Sequence, residues 1–296
     1  MSLRKLQIKE NEIKEAVLDV LAYFAVMGLR LDFDTLYSYL PVKASHLAVK
    51  KQLKNLIARG RVKHVDGKYG LAKHKYPRQK PMRDHQQALL KKAQRWSRLF
   101  KLIPSVKAIS VVNSTAYGNT HKDSDIDLFI ITSPNRIFIT KGFLMYLLRT
   151  LRQLEDAQTS AGRFSLGMFL TTKGVKLDKD IMRTNHPDLV YRMITCIPMY
   201  GNAVWYSILK NDTYLQAKLP NYVWPKMPVR IYGSGFKYLD RLDDIAYRKH
   251  LKHTAGQAKT HHPDAFIRVR PDIINLHHKD ATTKIAEKWT KIRSEA

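Results

Sequence analysis

Apolar positions recur with helical spacing over residues 11–28, NEIKEAVLDVLAYFAVMG: Ile13, Val17, Val20, Leu21 and Phe24 share one face, and Gly28 supplies a C-terminal stop. The spacing predicts a first helix. DFDTLYSYL then opens on a capping Asp32 and reads as a short second helix. KASHLAVKKQLKNLIARG reads as a third, with Val49, Leu53, Leu56 and Ile57 inward and His46, Lys50 and Lys54 on the opposite face. After Gly60, RVKHV, the pair Asp66-Gly67 and KYGLA give a hairpin signal, because Asp-Gly suits a positive-φ turn between short strands. From about residue 84 the pattern changes to helix (HQQALLKKAQRWSRLFKLI), strand (VKAISVV), turn-rich loop, strand (DIDLFIIT), helix (NRIFITKGFLMYLLRTLRQL) and strand (RFSLGMFLTT). That order predicts a mixed α/β domain. DLVYRMITCIPMYGNAVWYSIL is read as a further helical region, and a long polar helix is expected from about Phe236 to Lys259. FIRVRPDIINLHH is a short strand candidate, and no internal repeat or low-complexity tract stands out.

Three helices followed by a hairpin resemble a winged helix over about residues 10–74. The stretch AKHKYPRQKPMRDH, residues 72–85, has two prolines among its cationic side chains and reads as a linker. The expected organisation is a basic winged-helix-like domain at 1–76, a linker at 77–83, an α/β core at 84–200 and a mainly helical accessory region at 201–296.

Composition sharpens this picture. With 296 residues, 44% of them hydrophobic, the chain can bury the cores of two or three domains and is no disordered tail. The formal net charge of +27 attracts polyanions, which makes nucleic acid the first partner to expect, RNA or DNA alike. The charge is unevenly spread: residues 1–40 hold five Lys or Arg against six acids, whereas residues 41–101 hold eighteen against only Asp66 and Asp84. In a winged helix the third helix enters a groove and the wing touches backbone. Here those elements carry Lys50, Lys51, Lys54, Arg59, Arg61, Lys63 and Lys68. This chemistry suits phosphate contact better than base reading, for which only Gln52 and Asn55 are candidates; a protein-contact or RNA-docking module is the alternative use. The longest apolar stretch, Val17 to Leu31, is interrupted by Asp19, Gly28 and Arg30, so neither a membrane span nor a signal peptide is expected. The single cysteine, Cys196, sits among apolar neighbours and fits a reducing, cytoplasmic location.

The candidate chemistry lies in NSTAYGNTHKDSDIDLFIIT, residues 113–132. Asp125 and Asp127 are one residue apart at the start of a strand, so they face one side while Ile126 points into the core. Paired carboxylates repel unless a cation lies between them, and Mg²⁺ takes one or two carboxylates and completes its shell with substrate phosphates. Ser114, at the end of the preceding strand, offers a hydroxyl and neighbouring N–H groups to phosphate. Ser114, Ala116, Gly118, Ser124, Asp125 and Asp127 fall, without a gap, on the pattern Gly-Ser-x-Ala-x-Gly, five residues, Ser-Asp-x-Asp. The segment resembles the nucleotidyltransferase (DNA polymerase β-like) superfamily, especially its minimal branch, over roughly residues 84–172.

That resemblance implies an α/β (α+β) nucleotidyltransferase-like mixed sheet with flanking helices. It also implies an enzyme that moves a nucleoside monophosphate from a nucleoside triphosphate to an acceptor with the help of Mg²⁺ or Mn²⁺. Asp125 and Asp127 would be the catalytic, metal-holding pair; Asn113, Ser114, Gly118 and Ser124 would bind the nucleotide, and Lys122 could neutralise phosphate. Asn113 stands where the family has Gly. The third strand, RFSLGMFLTT, lacks the carboxylate the superfamily often places there and offers Ser165, Gly167 and Thr171 outward, with Asp178 and Asp180 beyond it. The acceptor is expected to be a nucleic-acid end or a protein side chain, a small hydroxylated molecule being less suited to the charge. The alternative is a catalytically degenerate, nucleotide-sensing winged-helix regulator that binds nucleic acid. GSGF at 233–236 reads as a tight turn, and the pairs His261-His262 and His277-His278 as exposed polar residues rather than metal ligands. Trp96, Trp205 and Trp224 are assigned to core and rim.

Overall fold

A computed structural model describes residues 3–77, 79–156, 158–173, 188–228, 238–257, 266–277 and 282–296. The chain forms two compact units, one of residues 1–78, 213–225 and 282–296, the other of residues 79–212 and 226–281.

The first unit begins with α1 (Leu3–Val26), α2 (Phe33–Ser38), α3 (His46–Ala58), β1 (Val62–Val65) and β2 (Lys68–Leu71). α1 starts ahead of the expected residue 11, and Ile13, Val17, Val20, Leu21 and Phe24 are all buried. Asp32 caps α2 by accepting from the Thr35 N–H at 2.8 Å, and Ser45 caps α3 by accepting from the Ala48 N–H at 3.2 Å. α3 buries Val49, Gln52, Leu53 and Leu56. Ile57, expected inward, is 40% exposed, because the buried stripe closes at Leu56 and Gln52 fills the position between Val49 and Leu56. β1 and β2 pair antiparallel through Asp66 and Gly67, both at positive φ, as the hairpin signal requires.

Two later segments complete this unit. Asn221 is bonded to the loop between α2 and α3: its amide nitrogen donates to the Val42 carbonyl at 2.7 Å, and its oxygen accepts from the Ala44 N–H at 3.1 Å. The helix Thr282–Ser294 packs along α1, where Trp289 donates to the Asp19 carbonyl at 3.0 Å and Arg293 pairs with both Glu15 and Asp19. Residues 201–296, expected as one accessory region, are thus divided between the two units.

The second unit starts with α4 (Gln79–Phe100), which takes up most of the stretch read as a linker at 77–83. Pro81 is tolerated there because the first turn of a helix has no intrahelical use for its missing N–H. There follow β3 (Val106–Val111), α5 (Asn113–Tyr117), β4 (Ile126–Thr132), α6 (Ile137–Thr150), β5 (Phe164–Thr171), α7 (Asp188–Ile194), β6 (Ile197–Tyr200) and α8 (Asn202–Asn211). After the helix Tyr238–Gln257 come β7 (Phe266–Arg270) and β8 (Ile273–His277). One six-stranded mixed sheet has the order β6-β3-β4-β5-β8-β7, parallel only between β4 and β5, with helices flanking it. The expected mixed α/β core is therefore present. Ile126, Phe129, Ile130, Phe164 and Phe169 are buried in the two central strands, which explains why those strands read as near-continuous apolar runs.

Two strands were not separately legible. β6 lies inside what read as a continuous helical region; its Pro198 is acceptable because β6 is an edge strand and one side needs no N–H donor. FIRVRPDIINLHH is two strands folded back at Pro271 and Asp272, not one. The expected helix Phe236–Lys259 is observed from Tyr238 to Gln257, whereas Asp178, Asp180, GSGF, His261, His262 and His278 lie outside the described residues. Among the described residues no helix is long and apolar enough to cross a membrane. Cys196 is buried, and burial pushes its thiol far up.

Gly201 joins β6 to α8 at φ 68, and a methyl group there would run into the Lys107 backbone oxygen on β3. Gly201→Ala is expected to cost at least about 2 kcal/mol, from the positive φ together with the backbone clash. Chemical denaturation checks this; an unchanged midpoint would contradict the register of β6 on β3.

Candidate active site

The site forms where β3 passes into β4. Val112 is still extended, and Asn113 at φ 56 swings the chain into the short α5, which Gly118 ends in the left-handed region. This turn is fastened to the next strand. The Thr115 hydroxyl donates to the Asp125 carbonyl at 2.9 Å, and the Val112 N–H donates to the Asp127 carbonyl at 3.0 Å. Between the two aspartates Ile126 is fully buried, so both carboxylates stand on the opposite face of β4, each half-buried.

Asn113 does more than adopt the glycine-like turn. Its side-chain amide donates to Asp127 Oδ2 at 2.9 Å, a contact no glycine could supply. Asn thus combines tolerance of positive φ with a donor for the site. Ser114 is half-buried, and its hydroxyl has no hydrogen-bond partner among the described residues. Ser124 is buried and holds the loop, its Oγ accepting from the His121 N–H at 2.9 Å. Lys122 is exposed in that loop.

A third carboxylate, Glu155, lies close enough for its charge to raise the pKa of both Asp125 and Asp127. It was missed because NRIFITKGFLMYLLRTLRQL read as one helix continuing through this region. α6 instead stops at Thr150, Arg152 takes φ 53, and the chain turns back beside β5. Leu154 bridges Phe164, and the Glu155 N–H donates to the Phe164 carbonyl at 3.0 Å. The sequence signal was an acid preceding the third strand rather than within it. Of the outward candidates on that strand, Ser165 sits opposite Asp127 in the register of β4 on β5 and lowers its pKa, whereas Thr171 is buried with no partner for its hydroxyl among the described residues.

The electrostatics follow from this crowding. Burial, then the Asp127 charge, then Glu155 push the Asp125 carboxyl well above its ordinary range. Burial also raises Asp127, opposed by the Asn113 hydrogen bond; Glu155 raises it further, while Arg192 and Ser165 lower it. Arg192 lies on α7, paired with the buried Asp188 at 2.6 Å. Lys141, 7% exposed on α6, donates to the Leu166 carbonyl at 2.8 Å; burial brings its pKa down to about 8 and the Glu155 charge opposes that shift.

Among the described residues no three His, Cys, Asp or Glu side chains form a ready-made metal cage. Two aspartates on one strand face, with pKa values raised by burial and by neighbouring carboxylate charge, nevertheless suit a hard cation that draws its remaining ligands from phosphates and water. The donor set fits Mg²⁺ or Mn²⁺ in that role.

Residues 90–164 match the nucleotidyltransferase domain family. The matched span runs from α4 to the first residue of β5, and it holds Asn113, Ser114, Gly118, Ser124, both aspartates and Glu155. The mixed sheet with flanking helices is consistent with the nucleotidyltransferase fold, and the domain supports nucleotidyl transfer as the general chemistry. Neither the curated proteins nor the solved structures include a match to the chain.

The basic side chains read from sequence belong to the other unit. Lys50, Lys51 and Lys54 are exposed on α3; Lys50 Nζ lies 5.0 Å from the Phe33 ring centroid, and Lys51 pairs with Glu10 at 2.7 Å. Lys63 is exposed on β1, whereas Arg61 is half-buried and donates through Nε to the Ala296 carbonyl oxygen. Gln52, a candidate base reader, is only 6% exposed and faces the core; Asn55 is exposed.

Raised carboxylate pKa values mean that the folded site binds more protons than the unfolded chain between the ordinary value near 3.8 and the raised values. Without divalent cation, stability therefore falls as pH rises through that window. Asp125→Asn is expected to raise the melting temperature of the cation-free protein at pH 8 and to leave it unchanged near pH 3. A lower melting temperature at pH 8 would refute the repulsion.

Proposed function

We propose that the nucleotidyltransferase domain transfers a nucleoside monophosphate from a nucleoside triphosphate to an acceptor hydroxyl, with Asp125 and Asp127 holding Mg²⁺ or Mn²⁺. The reading is carried by the two aspartates on one face of β4, inside the segment that matches the family. In this reading the acceptor oxygen bonds to the α-phosphorus, the bond to the bridging oxygen breaks, and pyrophosphate leaves in line. A cation held by Asp125 and Asp127 would supply charge neutralisation to the triphosphate. Asn113 orients the Asp127 carboxylate through its hydrogen bond, with Ser165 opposite it on β5. Glu155, whose charge already acts on Asp125, accepts the acceptor's proton. Ser114, Gly118 and Ser124 shape the phosphate loop, with the free Ser114 hydroxyl as donor.

The N-terminal unit is read as a winged helix that holds the acceptor, a nucleic acid or a protein bound to one. Support comes from the order of three helices and a hairpin and from Lys50, Lys51 and Lys54 exposed along α3. With Gln52 facing inward, Asn55 is the one candidate base reader left exposed on α3 beside three lysines, so the contacts are read as mainly with phosphate. A buried lone cysteine agrees with a cytoplasmic setting.

Incubation of labelled nucleoside triphosphates with Mg²⁺ and a pool of cellular RNA and protein tests the transfer. Label transfer is expected to fall more than about 100-fold in Asp127→Ala and about 10-fold in Glu155→Gln. Equal transfer by the wild type and an Asp125→Ala/Asp127→Ala variant would sink the enzymatic reading. For the basic face, nucleic-acid affinity is expected to drop steeply with salt. Replacing Lys50, Lys51 and Lys54 by Gln should flatten the log–log slope by about 2 to 3, and a slope unchanged by the triple replacement would remove α3 from the interface.

A further inference from the structure

The N-terminal unit contains a cavity of about 440 Å³ that the transfer reading does not use. It lies between the turn after α3, the segment after β2 and the end of the C-terminal helix. Arg59, Arg61, Lys73, His74 and Lys75 line it against one carboxylate, Glu295. Leu71 and Ile292 add apolar wall, and none of Lys50, Lys51 and Lys54 takes part.

So many like charges around one concavity repel each other and cost stability unless an anion neutralises them. Arg59, Lys73 and Lys75 are exposed and form no ion pair among the described residues. Other parts of the wall are held in place. Arg61 donates to the Ala296 carbonyl oxygen, and His74 packs edge-on to Tyr76 with ring centroids 4.8 Å apart. The Tyr76 hydroxyl in turn accepts from the Leu71 N–H at 2.9 Å. Burial lowers the His74 pKa, which makes it a neutral hydrogen-bonding group beside the four permanent cations.

We propose that this cavity binds a phosphorylated small molecule of nucleotide size, its phosphates held by Arg59, Arg61, Lys73 and Lys75 and its less polar part against Leu71 and Ile292. The volume lies within the range of about 300–1,000 Å³ typical of small-molecule sites, and a concavity walled by three segments suits a discrete ligand better than a polymer backbone. The site is separate from the carboxylates of the other unit and does not depend on the transfer reading.

Calorimetric titration of the full chain with ATP and with pyrophosphate, in EDTA, tests the site. The background variant Asp125→Ala/Asp127→Ala removes binding through the carboxylates. One saturable site per chain is expected to survive in that background. It should weaken at least about 10-fold in Arg59→Gln/Lys73→Gln/Lys75→Gln and persist in Lys75→Arg. Without ligand the triple variant is expected to melt no lower than its parent, since it loses repulsion; single Lys75→Gln serves should the triple variant not fold. No saturable binding, or an unchanged Kd in the Gln variants, would overturn the site. Binding of a short oligonucleotide that these variants weaken, with none of ATP or pyrophosphate, would overturn it in favour of a nucleic-acid contact.

Discussion

Crowding of negative charge at the start of β4 is the constraint around which the second unit is arranged. Asp125 and Asp127 share a strand face because Ile126 between them is committed to the core, and Glu155 approaches from the turn after α6. Asp125 and Asp127 are each more basic than they would be in water. The surroundings only partly offset this: Asn113 donates to Asp127, Ser165 and Arg192 lower its pKa, and the buried Lys141 on α6 feels the Glu155 charge. A site so arranged costs stability for want of counter-charge, which is the usual relation between stability and function at a charged centre.

The rest of the sheet serves that placement. Among the described strands β4 and β5 are the only parallel pair, so the turn after α6 and the start of β5 return to the same end of the sheet as the aspartates. The register shift between Asp127 and Phe129 falls beside the pair, where a bulge re-aims side chains without ending the strand. Asn113, a departure from the family's glycine, keeps the left-handed turn and adds a donor to the carboxylate it faces.

Legibility differed with the range of the interactions concerned. The first three helices, the Asp66-Gly67 hairpin and strands β3, β4 and β5 were visible because each carries its own period, cap or turn residue. β6 was not: four residues with a proline, between two apolar helices, have no period of their own and become a strand only against β3. Ile57 and Gln52 exchanged roles on α3, because spacing locates an apolar face but not where its edge closes. Glu155 was hidden for a related reason, since helical periodicity carried past Thr150 and did not show the reversal at Arg152.

The sequence by itself determined the carboxylate pair, its strand, the turn-rich loop before it and the basic third helix, because all of these rest on neighbours along the chain. Only the tertiary structure decided which residues meet them from a distance. It brought Glu155, Ser165 and Arg192 to the aspartates, laid the C-terminal helix along α1, and gathered Arg59, Lys73 and Lys75 around one cavity. Such meetings depend on how the chain reverses and packs, and local patterns of polarity carry no record of partners that are remote in sequence.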